Sequence, residues 1–229
     1  MHIDIYYIIL VIPAFILSLI CQANVSSTFN KYSRISNARG LTGADAARTL
    51  LMRKGITDVT VQNVRGKLTD HYDPRKKVLR LSESVFSSSS VAAIGVAAHE
   101  AGHAVQHAES YGPMALRGSL VPAANIGSMA GPYIAMIGLV INSGMIVTIG
   151  IVLFTVAVVF YLITLPVEFN ASSRALEMLE RDGILSVSEI AGSKKVLNAA
   201  ALTYVASALT AVMSLLRLIL LSRNRRRNY

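Results

Sequence analysis

The sequence predicts an α-helical integral membrane protein of about four transmembrane helices, with a small α+β domain between the first and second. Three observations lead there. Hydrophobic residues make up 53% of the 229 positions and charged residues only 15%, where a soluble domain carries about 25% charged residues. The missing charge is localised, because 5–30, 118–167 and 196–216 contain no Asp, Glu, Lys or Arg. The polar stretches between these segments show short helical and strand periods of their own.

A membrane-crossing helix needs roughly 20 mostly apolar residues. The first and third charge-free stretches fit one span each. The middle one holds two, with Asn142-Ser143-Gly144 as its turn. Spans are therefore expected near 4–21, 120–141, 145–165 and 199–221. The first opens Met1-His2-Ile3-Asp4 without a basic start or a small-residue cleavage site, so it reads as an uncleaved anchor. Cys21, the lone cysteine, has no internal disulfide partner and reads as packing. The formal charge of +9 is spread over the non-membrane segments. With no basic patch interleaved with aromatics, nucleic acid is not an expected partner. The RNRRR run at 223–227 follows a span, as headgroup-anchoring residues do.

The segment 22–119 should be the main folded domain. Thr42 can cap a helix ending near Lys54, with Asp45 in its first turn and Gly55 as its stop. Asp58–Val64 alternates in the strand period, Leu68–Tyr72 continues after a turn, and Lys77–Ser82 is a further strand. Together they suggest a small meander. A serine run, Ser87–Ser90, precedes an alanine-rich helix over about Val91–Glu109. In the second span Ser119, Ala123, Gly127, Gly131 and Ala135 recur every four residues. Small residues at that spacing line one face and admit a neighbouring helix closely, while Pro122 and Pro132 should bend it. A second polar segment, 166–198, opens at Pro166, with a helix over Glu168–Arg181 ended by Asp182-Gly183. With four spans, 22–119 and 166–198 fall on one side of the membrane. Span four and a basic tail, 199–229, complete the chain.

Within the alanine-rich helix, His99-Glu100-Ala101-Gly102-His103 forms H-E-x-x-H. Positions four apart share a helix face, so both imidazoles can reach one ion, with Glu100 beside a water on it. Zinc lowers the pKa of such a water toward ~7, and Glu100 would accept its proton and pass it to the leaving amine. Chance produces bare H-E-x-x-H strings on polar helices. Here, however, the surrounding residues are small and apolar, and burying two His and a Glu among them is costly unless they are paired or ligated. Gly102 leaves room near the metal.

A catalytic zinc takes three protein ligands and a water, so one more is needed. His107 lies about 12 Å along the axis from His99 at ~1.5 Å per residue, too far to share a tetrahedral ion, and reads as a polar helix-end residue. Glu168 follows the third span directly. A carboxylate so near hydrocarbon needs a partner. A metal would supply one, and a solvated position at a helix start, favoured by the helix dipole, is the other reading.

The chain resembles the YugP-type membrane neutral zinc metallopeptidases. The likeness rests on GLTG at 40–43, LTDHYDP at 68–74, RLS at 80–82, AAHEAGHA at 97–104 and PVEF at 166–169. It is similar, more widely, to membrane gluzincins, whose third ligand is a glutamate in an E-x-x-A-D helix. That resemblance implies a zincin-like α+β domain over 22–119, one Zn2+ held by His99, His103 and Glu168, and Glu100 as general base. Ser172 stands where the pattern has its aspartate, so the group orienting the ligands would be Asn170, Ser172 or Arg174. The resemblance also implies that Lys77–Phe86 contains an edge strand pairing with extended substrate, a purely structural strand being the other reading. His71 could stabilise an oxyanion or simply bond backbone in its turn.

The function expected is that of a membrane-embedded zinc endopeptidase acting on unfolded or membrane-associated polypeptides. The alternative is a membrane scaffold or assembly factor holding structural zinc. A transporter would want more polar spans. Positives near the expected catalytic side (Lys31, Arg34, Arg39, Arg117, Arg174, Lys194, Lys195) favour a cytoplasmic site in a multi-pass cell-membrane protein, against Arg223 and Arg225–Arg227 at the other end.

Overall fold

The computed structural model describes residues 4–227, with side chains described through residue 224. The Met1–Ile3 start and the side chains of the basic tail from Arg225 on lie outside the described residues. The chain is mostly helical, with one small sheet. After a π-helical turn at Tyr7–Val11 come α1 (Ile12–Tyr32), α2 (Gly43–Arg53), β1 (Thr60–Val64), β2 (His71–Asp73), β3 (Val78–Ser82) and α3 (Glu83–Phe86). Then follow α4 (Val91–Ala108), α5 (Gly112–Val140), α6 (Gly144–Arg181) and α7 (Val187–Arg227). Among the described residues, four helical segments, beginning at Tyr7, Gly112, Gly144 and Val187, are long and apolar enough to cross a membrane, with mean hydropathies of 2.3, 1.3, 2.8 and 2.0.

The chain forms two compact units. One contains the chain up to Gln22, Ala115–Pro166 and the chain from Thr203 onward. Its core is built on Ala135, Phe154, Ala157, Val158, Ala211 and Leu218. Here α5 and α6 meet through small residues. A Cβ on Gly131 would stand 2.8 Å from the Phe154 backbone nitrogen, so only glycine permits the approach. The expected small-residue face is rotated: Ala124, Gly127, Gly131, Ala135 and Gly138 are buried, whereas Ser119 and Ala123 are exposed. The reason is spacing. A strict four-residue repeat drifts around a helix of 3.6 residues per turn, and the contact follows the mixed three-and-four pattern instead. Arg217, which falls inside the expected fourth span, is paired with Asp4, its Nη2 2.6 Å from the carboxylate.

The other unit contains Ala23–Met114 and Val167–Leu202. Its core joins α2, β3, α4 and the C-terminal part of α6 through Leu50, Leu79, Leu81, Ile94, Met178 and Leu179, all buried. Thr42 caps α2 in a capping box with Asp45, and Gly55 takes the left-handed conformation that ends it, at φ 69°. Ser90 caps α4 by accepting from the Ala93 N–H at 3.2 Å.

Three expectations are corrected. First, the sheet is not a meander. Its order is β1-β3-β2, with β1 parallel and β2 antiparallel to β3. β3 (VLRLS) is buried at every position except Arg80, while β1 and β2 are largely exposed or half-buried. A strand buried on both faces belongs in the middle. Lys77–Phe86 therefore holds no edge strand, because both sides of β3 are paired and Glu83–Phe86 is helical. Second, Pro166 opens nothing. α6 runs unbroken from Gly144 through it to Arg181, and α7 likewise joins the polar segment to the fourth apolar stretch. A proline costs only one backbone hydrogen bond plus local crowding, which long apolar helices accommodate. Third, the first helix continues to Tyr32, because nothing in Gln22–Asn30 breaks it.

Candidate metal centre

Two helices build the site. α4 is buried along most of its length, through Val91–Gly95, Ala97, Ala98 and Glu100–Gln106, with His99 half-buried at its open side. On α6, Val167, Glu168, Ala171, Ser172 and Ala175 form a buried stripe with helical period. The two meet at Gly102, where an added Cβ would lie 2.6 Å from the Ala171 carbonyl oxygen. The room the sequence reading left beside a metal is thus taken by the neighbouring helix backbone. That close approach lets side chains on α4 reach Glu168.

His99, His103 and Glu168 come together, each offering one ligand atom within 4.8 Å of the others. His99 Nε2 lies 3.2 Å and His103 Nε2 3.6 Å from the same Glu168 oxygen. The two rings stand edge to face, 4.7 Å between centroids. Ligand atoms ~2.0–2.2 Å from a tetrahedral zinc stand about 3.3 Å apart, so the observed spacings suit such an ion. The donor set also suits it: two imidazoles and a carboxylate, with Glu168 only 2% exposed. A carboxylate so enclosed is unfavourable without a cation or strong donors.

Glu100 points from the same turn of α4 and, among the described residues, accepts no protein hydrogen bond. Burial in the alanine-rich pocket raises its pKa, and the adjacent His99 and His103 only partly oppose this. For His103, burial works against the charged form, yet the neighbouring carboxylates of Glu168 and Glu100 outweigh it and raise the pKa.

Each imidazole is also held from behind. Ser172 Oγ lies 3.1 Å from His99 Nδ1, so the serine that stands at the aspartate position of the E-x-x-A-D pattern touches one of the two imidazoles. Gln106 Oε1 lies 3.0 Å from His103 Nδ1. Gln106 escaped the sequence reading. Its signal was a polar side chain one turn after His103 on an otherwise apolar helix.

Two other histidines lie outside this group. His107 is exposed, with Nδ1 2.8 Å from the Tyr72 hydroxyl, and burial pushes the Tyr72 pKa up to about 12. His71 Nδ1 bonds the Thr69 carbonyl at 2.8 Å, and its Nε2 accepts from Arg80 at 3.2 Å. Both nitrogens are committed, leaving neither for an oxyanion. Asp70, in the same LTDHYDP run, accepts from the Ser82 N–H at 2.7 Å and from the Ser82 hydroxyl. It fastens the loop before β2 to the end of β3.

These two helices bring together two imidazoles and a carboxylate that could hold a metal ion, and a family of zinc metallopeptidases matches. The family described as "Putative neutral zinc metallopeptidase" covers residues 7–223, and the chain belongs to it. Among its relatives, the "Putative membrane protease YugP" of Bacillus subtilis (strain 168) is 48% identical over 220 residues, 96% of this chain and 98% of that protein. No solved structure matches the chain significantly.

Proposed function

We propose that the protein is a membrane-embedded zinc endopeptidase that cleaves unfolded or membrane-associated polypeptides, with Glu100 as general base. The observation that carries this reading is the convergence of His99, His103 and Glu168 from α4 and α6 within 4.8 Å, with Glu100 beside them. Zinc held by these three side chains would supply Lewis-acid chemistry, polarising a peptide carbonyl and making water nucleophilic near neutral pH. The chain's own groups do the rest. Glu100 takes a proton from the attacking water on its carboxylate and returns it to the leaving amine nitrogen. Ser172 and Gln106 hold the imidazoles, and α4 and α6 shut water out behind them.

An extended substrate suits the open sheet edges. With β3 enclosed, β1 and β2 remain for backbone pairing, and β2 packs on α4 through Tyr72 and His107. Removal of the metal is the direct test. A chelator should abolish hydrolysis of an unfolded casein-type substrate by the detergent-purified protein, and about one equivalent of Zn2+ should restore it. Full activity in metal-free protein would refute the proposal.

The same reading makes this a multi-pass cell-membrane protein with its site in the cytoplasm. Supporting it are the large apolar side chains left outward on the long helices, among them Ile9, Phe15, Ile20, Ile126 and Val152, which suit lipid far better than water. Lys31, Arg34, Arg39, Arg117, Arg174, Lys194 and Lys195, near the ends of the spans on the side of the site, support the orientation. A tag placed in the Arg65–Thr69 turn should resist protease added to intact cells or protoplasts and become cleavable in inverted vesicles. Cleavage in intact protoplasts would reverse the orientation.

A further inference from the structure

A buried chain of polar side chains runs behind His103, and the direction of its hydrogen bonds can be derived from groups whose roles are fixed. The Arg174 guanidinium can only donate, so its Nε–H, 2.7 Å away, makes the facing Asn170 atom the oxygen Oδ1. The Val167 backbone carbonyl can only accept. Gln106 reaches both acceptors with one atom, at 2.9 Å to Val167 O and 2.9 Å to Asn170 Oδ1. That atom must be the amide nitrogen, which has two hydrogens to give. The amide oxygen then faces His103 Nδ1 at 3.0 Å, so Nδ1 carries a hydrogen and donates it. Nε2 is left as the lone-pair nitrogen, on the side of Glu168. Arg174 itself is anchored by Glu109 at 2.5 Å and stands over the Tyr111 ring. Gln106 has no exposed surface, so no water substitutes for any of these partners.

We propose that Gln106 is a positioning residue that fixes the tautomer and ring orientation of His103 for metal ligation, with its own amide polarity set by Val167 O and by Asn170 under Arg174. The proposal rests on the zinc reading above. The chain of bonds ties α4 to α6 one turn beyond the Gly102 contact. A change in Gln106 therefore acts on the metal through His103 rather than through substrate.

The test uses the full-length protein in detergent, with zinc affinity read by competition against a chromophoric chelator. Gln106→Met keeps length and volume but loses the acceptor for Nδ1–H. Its zinc affinity should fall about 10–100-fold, measured at a temperature where circular dichroism shows the metal-free variant folded. Asn170→Asp keeps an acceptor for both Gln106 and Arg174 and should bind zinc within about threefold of wild type, a rescue-type control. In the zinc-loaded wild type, long-range 1H–15N spectra should show His103 protonated at Nδ1. Unchanged affinity in Gln106→Met, or a wild-type His103 protonated at Nε2, would overturn the proposal. Failure of the wild type to bind zinc at all would instead overturn the function proposed above.

Discussion

Glu100→Gln should leave zinc bound at wild-type stoichiometry and lower peptide hydrolysis by roughly 10²–10⁴-fold, the range that a positioned general base contributes. The substitution is nearly isosteric. It exchanges one carboxylate oxygen for an amide nitrogen on a side chain of the same length, so the packing around α4 is kept. Glu100 is not one of the three grouped ligand atoms, so metal retention is expected. What disappears is the ability to accept a proton from water and hand it to the amine. Metal analysis and single-substrate kinetics on the same preparation decide the matter. Hydrolysis at the wild-type rate would mean that another group is the base. It would also revive the alternative of a scaffold with structural zinc, which needs no base beside the ion.

Glu168→Ala should lower zinc affinity by more than about 100-fold, since it removes a ligand, whereas loss of a residue behind a ligand costs 10–100-fold. Protein purified without added metal should carry far less than one zinc per chain. The two imidazoles remain, 4.7 Å apart between centroids, but two neutral nitrogens on one helix do not make the three-ligand set of a catalytic site. The charge matters as well as the atom. Among the described residues, Glu168 is the carboxylate paired with both rings, and without it a dication would lose that charge. Full zinc occupancy in this variant would remove Glu168 from the ligand set and with it the role of α6.

Much of this was legible along the chain because it depends on local patterns. The capping box at Thr42 and Asp45, the Gly55 stop and the limits of α4 follow from residues within a turn of one another. The Asn142 turn and the apolar character of the long helices are likewise local. What misled were features whose outcome depends on distant partners. Pro166 reads as a boundary in isolation, yet α6 runs through it. The strands read as a meander because consecutive strands often pair. β3 instead lies between the other two, since Val78, Leu79 and Leu81 are the most apolar set and need cover on both faces. The hydrogen bonds of Asp70 to Ser82, and the seating of Gln106 between Val167 and Asn170, depend likewise on partners distant in the chain.

The sequence by itself determined the chemical inventory: two imidazoles and a glutamate on one helix turn, a second glutamate after an apolar stretch, and enough hydrocarbon-like helix for four crossings. Helical periodicity and charge distribution act over a few residues, so they can be read in one dimension. Only the tertiary structure decided that Glu168 stands 3.2 Å from His99 Nε2, that Ser172 and Gln106 back the two imidazoles, and that β3 is closed to substrate. Those facts depend on how near α4 can come to α6. A missing side chain at Gly102, against the backbone at Ala171, sets that distance.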